Sequence, residues 1–180
     1  RYLKGTKHYK FIIKASSSMT SAPGRLVKIP SALYTDADWA ADLNGRKSRS
    51  GWAIFVFGVL ISYGSKLQKT VALSSAEAEL MALTEGTKDL QHFLNIITEF
   101  LTPILPVPTN VDNQGAICLG NNKVNNQRSK HIDIRHFYVR DLVENGTIKL
   151  LFCPTTEMLA DIFTKALANP TFEGLATAIM

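Results

Sequence analysis

The sequence predicts a mixed β-sheet with helices packed on its faces. Three observations predict it: β-rich segments lead the body of the chain, a long amphipathic helix follows them, and short strands then alternate with helices. The 180 residues, 46% hydrophobic and 19% charged, suffice for one domain with a real core. That composition excludes a long disordered protein, a collagen and a coiled coil. Cys118 and Cys153 are too few for a disulfide scaffold and form no Cys-x-x-Cys pair. The longest apolar run, Trp52 to Ile61, is broken by Gly58 and is too short to span a bilayer. No signal peptide is recognisable, so an intracellular, reducing compartment is expected. Arg1 in first place predicts a piece cut from a longer polypeptide.

Residues 16–32 read as a linker, with Ser16 to Ser18, Pro23, Gly24 and Pro30 and little periodicity. The expected division is a leader and linker over 1–31 and a folded domain over 32–180. Leu33–Trp39 reads as the first strand, and a polar loop runs from Ala41 to Ser50. Trp52–Leu60 is rich in β-formers, and Ile61–Lys66 can pair back after a turn at Gly58. Ser74 and Ser75 open a long helix, with Glu77 three residues after Ser74 in the capping-box position. Its apolar stripe is Ala76, Leu80, Leu83, Leu90, Leu94 and Ile97. Beyond Pro103, Pro106 and Pro108 come a short strand at Val107–Val111, a short helix at Asn113–Leu119 and an asparagine-rich loop at Asn121–Gln127. A helix near Asp133–Glu144, an Asn145–Gly146 turn, a strand at Thr147–Phe152 and a final helix near Thr156–Leu167 complete the prediction.

Charge is unevenly distributed. Residues 1–35 hold seven basic residues and no acid, which leaves 13 basic against 15 acidic residues in the remainder. An acidic body with a basic leader is not the profile of a protein that coats DNA without specificity. Two basic clusters remain inside the body: Arg46, Lys47 and Arg49, then Lys123, Arg128, Lys130, Arg135 and Arg140.

Acidic residues recur at the ends of predicted elements: Asp36 and Asp38 in the first strand, Glu79 in the first turns of the long helix, Asp112 closing the fourth strand and Asp161 early in the last helix. Several carboxylates at one buried spot repel one another and are tolerated when divalent cations neutralise them. Magnesium prefers such oxygen ligands. Two ions about 4 Å apart can hold the attacking water and the leaving oxygen of a phosphodiester in line. At about 100° per residue, Glu79 projects roughly 55° from the centre of the apolar stripe and Glu77 roughly 105°. Glu79 therefore borders the sheet and Glu77 faces outward. Asp36 and Asp38 share a strand face, and spacing does not choose between them. His131 and His136 have no cysteine or third histidine nearby, which argues against zinc. Ser74 and Ser75 lack a histidine base close in sequence and read as a helix cap.

At Tyr34–Ala40 (YTDADWA) and Arg46–Gly51 (RKSRSG) the chain closely resembles the start of the ribonuclease H domain of copia-type LTR retrotransposon polyproteins. Lys69–Leu83 (KTVALSSAEAELMAL) is similar to that family's most characteristic block. Val111–Ile117 (VDNQGAI), Ser129–Arg135 (SKHIDIR) and Met158–Lys165 (MLADIFTK) follow in the family's order, so the resemblance covers about residues 32–175. Arg1–Thr6 (RYLKGT) resembles the segment after the reverse transcriptase of the same polyprotein. Departures at Ala41, at His136, Phe137 and Tyr138, at Pro154–Glu157 and at Ala166 remove no metal ligand.

The resemblance implies an α/β fold of the RNase H type: a five-stranded mixed sheet, three antiparallel strands first and two parallel additions after, flanked by helices. It implies a catalytic and metal-binding set of Asp36, Glu79, Asp112 and Asp161, and so favours Asp36 over Asp38. In that scheme Asp36 and Asp161 hold both or neighbouring Mg2+ ions, with Mn2+ as a substitute. Glu79 holds one ion near the RNA 2′-hydroxyl, and Asp112 helps to place the attacking water. The implied reaction cuts the RNA strand of an RNA/DNA hybrid, leaving 3′-hydroxyl and 5′-phosphate ends. Hybrid is recognised through its 2′-hydroxyls and minor-groove shape. Arg46, Lys47, Arg49, Lys123, Arg128 and Lys130 are candidates for phosphate contacts; Asn113, Gln114 and His131 complete the expected nucleic-acid-binding set. The expected partners are hybrid and the reverse transcriptase domain of the same polyprotein, with no membrane. The expected location is a cytoplasmic virus-like particle, with the nucleus as an alternative. Two competing readings are an inactive binding or structural remnant of the same fold and a DNA-strand nuclease or integrase-like member, which lacks the SSAEAEL and KHIDIR blocks.

Overall fold

A computed structural model of the chain describes residues 28–121 and 130–180. Residues 1–27 of the predicted leader and linker and most of the asparagine-rich loop lie outside the described residues, as do Lys123 and Arg128. The side chains of Lys130 and His131 do too.

Five strands form one sheet in the order Val59–Leu67, Arg49–Val56, Ser31–Asp38, Val107–Val111 and Ile148–Phe152. β2 (Ser31–Asp38), β3 (Arg49–Val56) and β4 (Val59–Leu67) make the antiparallel meander, and β6 (Val107–Val111) and β7 (Ile148–Phe152) add in parallel. Phe57 and Gly58, at φ 52° and 77°, form the tight turn between β3 and β4. Two positive φ values match the twist of the hairpin they join. A two-strand parallel pair, β1 (Lys28–Ile29) with β5 (Thr102–Pro103), sits apart from this sheet.

Alternation along β2 assigns each face its work. Leu33, Thr35 and Ala37 face the long helix α1 (Ser75–Ile97), while Tyr34 and Asp36 face the opposite side. α1 starts as its sequence predicts. The Glu77 N–H donates to Ser74 Oγ at 3.1 Å, and Glu77 Oε2 accepts from the Leu73 N–H at 2.7 Å. Leu80, Leu83, Leu90 and Leu94 are buried against Leu33, Ile54, Val107 and Val111. α2 (Gln114–Asn121) and α3 (Lys130–Glu144) close this core with Ala116, Val139 and Leu142. Gly86 lets α1 lie close on the sheet, since a Cβ there would stand 2.8 Å from Thr35 Cγ2. A polar tie fixes the crossing: Asp89 Oδ2 accepts from Trp52 Nε1 at 2.9 Å and from the Ser62 hydroxyl at 2.7 Å.

The last part of the chain departs from the prediction. No helix spans Thr156–Leu167; instead, two 3-10 turns at Thr155–Glu157 and Leu159–Phe163 precede α4 (Asn169–Ile179). The tight turns bury Met158, Ala160, Asp161 and Thr164 against β2 and β3, which a longer α-helix would distribute around its circumference. Gly51 makes room for them: a Cβ there would lie 2.5 Å from Thr164 Cγ2 and 3.1 Å from the Ala160 carbonyl. Pro170 stands in the first turn of α4, where its missing N–H costs nothing. Its Ile179 packs on Ala53 and Phe55, so the 3-10 turns and α4 cover the sheet face opposite α1. No helix among the described residues is long and apolar enough to cross a membrane.

Candidate active site

The site lies at one end of the sheet. β2 and β6 run parallel with Thr35 beside Val111, so the next residues, Asp36 and Asp112, come side by side near the carboxyl ends of neighbouring strands. In open α/β sheets that is where ligands bind. The second 3-10 turn brings Asp161 over them from the outer face. One carboxylate oxygen from each of Asp36, Asp112 and Asp161 lies within 4.8 Å of the other two.

Glu79 arrives from α1. It is only 4% exposed, as its angle on the helix predicts, and its Oε1 accepts from the Ala37 N–H at 3.0 Å. Its Oε2 is buried and has no hydrogen-bond partner among the described residues. Glu79 is outside the converging trio, held instead against the backbone of β2. Asp36 is fully buried, whereas Asp38 is partly exposed at the strand end opposite Arg49. The structure thereby separates the two acids that spacing left equivalent.

Electrostatics express the crowding. Burial first, then the charges of Asp36 and Asp112, push the Glu79 carboxyl up to about 9. Burial and Asp36 raise Asp161 to about 6, against the pull of Lys165. Asp112 is raised by burial and by Asp36, and the Thr155 hydroxyl, 3.2 Å from its Oδ2, works the other way. Asp38 is raised mainly by burial.

Three residues absent from the sequence-based site set contact its acids. The Lys165 ammonium sits 3.1 Å from Asp36 Oδ1 and 2.9 Å from Asp161 Oδ1. Burial opposes its charge, but the two carboxylates outweigh that and raise its pKa. The Thr164 hydroxyl donates to the other Asp36 oxygen, Oδ2. Thr155 holds Asp112. The signal for Lys165 was available: it follows Asp161 by four residues, the spacing that juxtaposes side chains on a helical turn.

The expected nucleic-acid contacts fall into two groups. Arg46 is exposed at the tip of the β2–β3 loop, which Asp42 holds through bonds from the Gly45 and Arg46 N–H groups. Lys47 and Arg49 are half-buried behind it. Asn113 caps α2 by accepting from the Ala116 N–H at 3.1 Å, and Gln114 is exposed beside it. A cavity of 240 Å³ on the α1 side gathers Lys66, Lys69 and Arg135 around Ser50 and Gln68. Lys66 also pairs with Glu85 at 2.7 Å. Of these cations the sequence singled out only Arg135, and not as a phosphate contact.

No family model matches the chain. Over 140 residues it is 39% identical to the retrovirus-related Pol polyprotein from transposon TNT 1-94 of Nicotiana tabacum, covering 78% of this chain and 10% of that protein. Over 180 residues it is 31% identical to the corresponding polyprotein from transposon RE1 of Arabidopsis thaliana, covering 99% and 12%. The chain thus spans roughly a tenth of the length of these curated relatives. Among solved structures it is similar to the N-terminal RNase H domain of a Mycobacterium tuberculosis protein, with a TM-score of 0.56 at 11% identity over 86% of this chain and 99% of that one. An RNase H1 crystallised with an RNA/DNA hybrid gives a TM-score of 0.56 at 17% identity over 74% and 93%. At such identities the likeness concerns the fold. The chain is homologous to a segment of the retrovirus-related Pol polyproteins of plant copia-type transposons, and it folds as an RNase H-like α/β domain.

Proposed function

We propose that this chain is a ribonuclease H that hydrolyses the RNA strand of RNA/DNA hybrids by a two-metal-ion mechanism, removing the template during reverse transcription. The observation that carries the reading is the convergence of Asp36, Asp112 and Asp161 beside Glu79, whose buried Oε2 has no partner among the described residues. Carboxylates packed this closely repel one another, and burial adds to the cost of their charge. A divalent cation relieves both effects. The donors are all carboxylate oxygens, which suits Mg2+, with Mn2+ as a substitute, better than a thiolate- or imidazole-seeking metal.

Two such ions, when bound, supply an activated water and charge stabilisation at the scissile phosphate. Asp36 and Asp161 would hold both or neighbouring ions, Glu79 one ion near the 2′-hydroxyl, and Asp112 would help place the water. The chain's own donors keep these acids aimed: Thr164 on Asp36, the Ala37 N–H on Glu79 and Thr155 on Asp112. Cleavage would leave 3′-hydroxyl and 5′-phosphate ends. The basic loop with Arg46, Lys47 and Arg49 lies at the same end of the sheet and would take phosphates on one side of the cut. Lys66, Lys69 and Arg135 would take phosphates on the other. This reading places the domain beside its reverse transcriptase in a cytoplasmic virus-like particle.

Cleavage of a strand-labelled RNA/DNA hybrid in Mg2+, wild type beside Asp36→Asn, tests the proposal. Cutting confined to the RNA strand and lost in the variant supports it. A wild type that binds hybrid but cuts neither strand, in Mg2+ or in Mn2+, refutes it in favour of a binding remnant.

A further inference from the structure

The turn from Asp161 to Lys165 supplies more than one acid. Within five residues it contributes the Asp161 carboxylate, the Thr164 hydroxyl on Asp36 Oδ2 and the Lys165 ammonium on Asp36 Oδ1. The Thr164 and Lys165 N–H groups both donate to the Asp161 carbonyl, at 3.1 and 3.0 Å, so the turn is closed on itself. The ammonium therefore bridges the same two acids that a divalent cation between Asp36 and Asp161 would bridge. An ion at about 2.1 Å from those oxygens would stand no more than about 5 Å from Nζ. Two positive charges at that distance, in a partly buried site, repel strongly.

We infer that Lys165 is a tethered cation that competes with divalent metal for Asp36 and Asp161, so that it holds the acids together without metal and sets the metal concentration the site requires. The inference rests on the metal-centred reading of the four acids. Its geometry allows exchange. Lys165 is 29% exposed, and its four-carbon stem can carry the ammonium outward while the backbone turn stays closed. Thr164 stays behind on Asp36 Oδ2 and keeps that carboxylate oriented. A merely structural salt bridge predicts the opposite outcome, because its loss would loosen the acids and weaken metal binding.

The test measures Mn2+ affinity by electron paramagnetic resonance and melting temperature in EDTA, for wild type, Lys165→Met and Asp36→Asn. Lys165→Met is expected to melt lower in EDTA yet bind Mn2+ about tenfold or more tighter, as removal of a nearby like charge requires. Equal or weaker binding by a folded Lys165→Met overturns the inference and leaves the metal site standing. A wild type that binds no Mn2+ at millimolar concentration, like Asp36→Asn, overturns both. A second measurement needs no variant at Lys165: the side-chain ammonium signal of wild type, followed by 15N NMR, should be protected in EDTA and lost as Mg2+ is added. A signal unchanged at saturating Mg2+ overturns the inference.

Discussion

Glu79→Gln should stabilise the protein in the absence of divalent ions, although it removes a proposed ligand. The Glu79 carboxyl is raised from an ordinary value of 4.5 to about 9. In the unfolded chain it ionises near 4.5, and in the folded chain it keeps its proton until near 9. Between those values the unfolded state has released a proton that the folded state retains, so stability falls as pH rises through this window. Below pH 4.5 the penalty is absent. At pH 7 the window has been crossed for about 2.5 pH units, which at about 1.4 kcal/mol per unit is a cost of about 3 kcal/mol. Glutamine is close in shape, can accept from the Ala37 N–H through its carbonyl oxygen and never ionises. Glu79→Gln is therefore expected to be more stable at pH 7 by about 2–3 kcal/mol in EDTA, a rise of roughly 4–12 °C in melting temperature for a domain of this size. The gain should vanish near pH 4 and increase towards pH 9. Added Mg2+ should narrow the gap, because the wild type gains a ligand that the variant lacks. Denaturation curves in EDTA at pH 4.5, 7 and 8.5 decide the matter. A variant no more stable than wild type at pH 8.5, or a difference independent of pH, would refute the assignment of Glu79 as a buried acid strained by its neighbours.

Three other expectations concern the elements that position the site. Gly51→Ala puts a methyl 2.5 Å from Thr164 Cγ2 and should cost about 1–3 kcal/mol as overpacking; it should also lower hybrid cleavage by more than the unfolded fraction explains, and cleavage tracking the unfolded fraction alone would contradict it. Asp89→Ala strips the acceptor shared by Trp52 and Ser62 and should cost about 1–3 kcal/mol in urea denaturation, with a shift in Trp52 emission; unchanged stability would show the tie between α1 and the sheet to be idle. Lys69→Ala and Arg135→Ala should weaken hybrid binding and reduce the slope of log affinity against log salt by about 1 each, whereas an unchanged slope would remove that cavity from the nucleic-acid path.

The strands and the long helix were legible because their signals are local. The β-formers of Trp52–Leu60, the Gly58 turn, and Ser74 with Glu77 at a helix start each reside within a few residues. The last helix was misplaced because the run from Thr156 to Leu167 offers local helical spacing. What overrides it is packing of Ala160, Phe163 and Thr164 against Gly51, a partner more than a hundred residues away. The true helix start, at Asn169 and Pro170, was marked by proline in the first turn and was overlooked.

The amino-acid sequence alone pointed to the mixed sheet, to the order of its strands and long helix and to four acids in familiar motif blocks, because periodicity, caps and block order are properties of the chain itself. Tertiary structure alone decided which acids meet. It buried Asp36 and left Asp38 at the rim, converged Asp112 and Asp161 on Asp36, and kept Glu79 on the backbone of β2. It also delivered Thr164 and Lys165 to Asp36 across 128 and 129 residues of chain. Such meetings depend on strand register and on the space a single glycine leaves open, and charge acquires its consequences only where burial removes water from it.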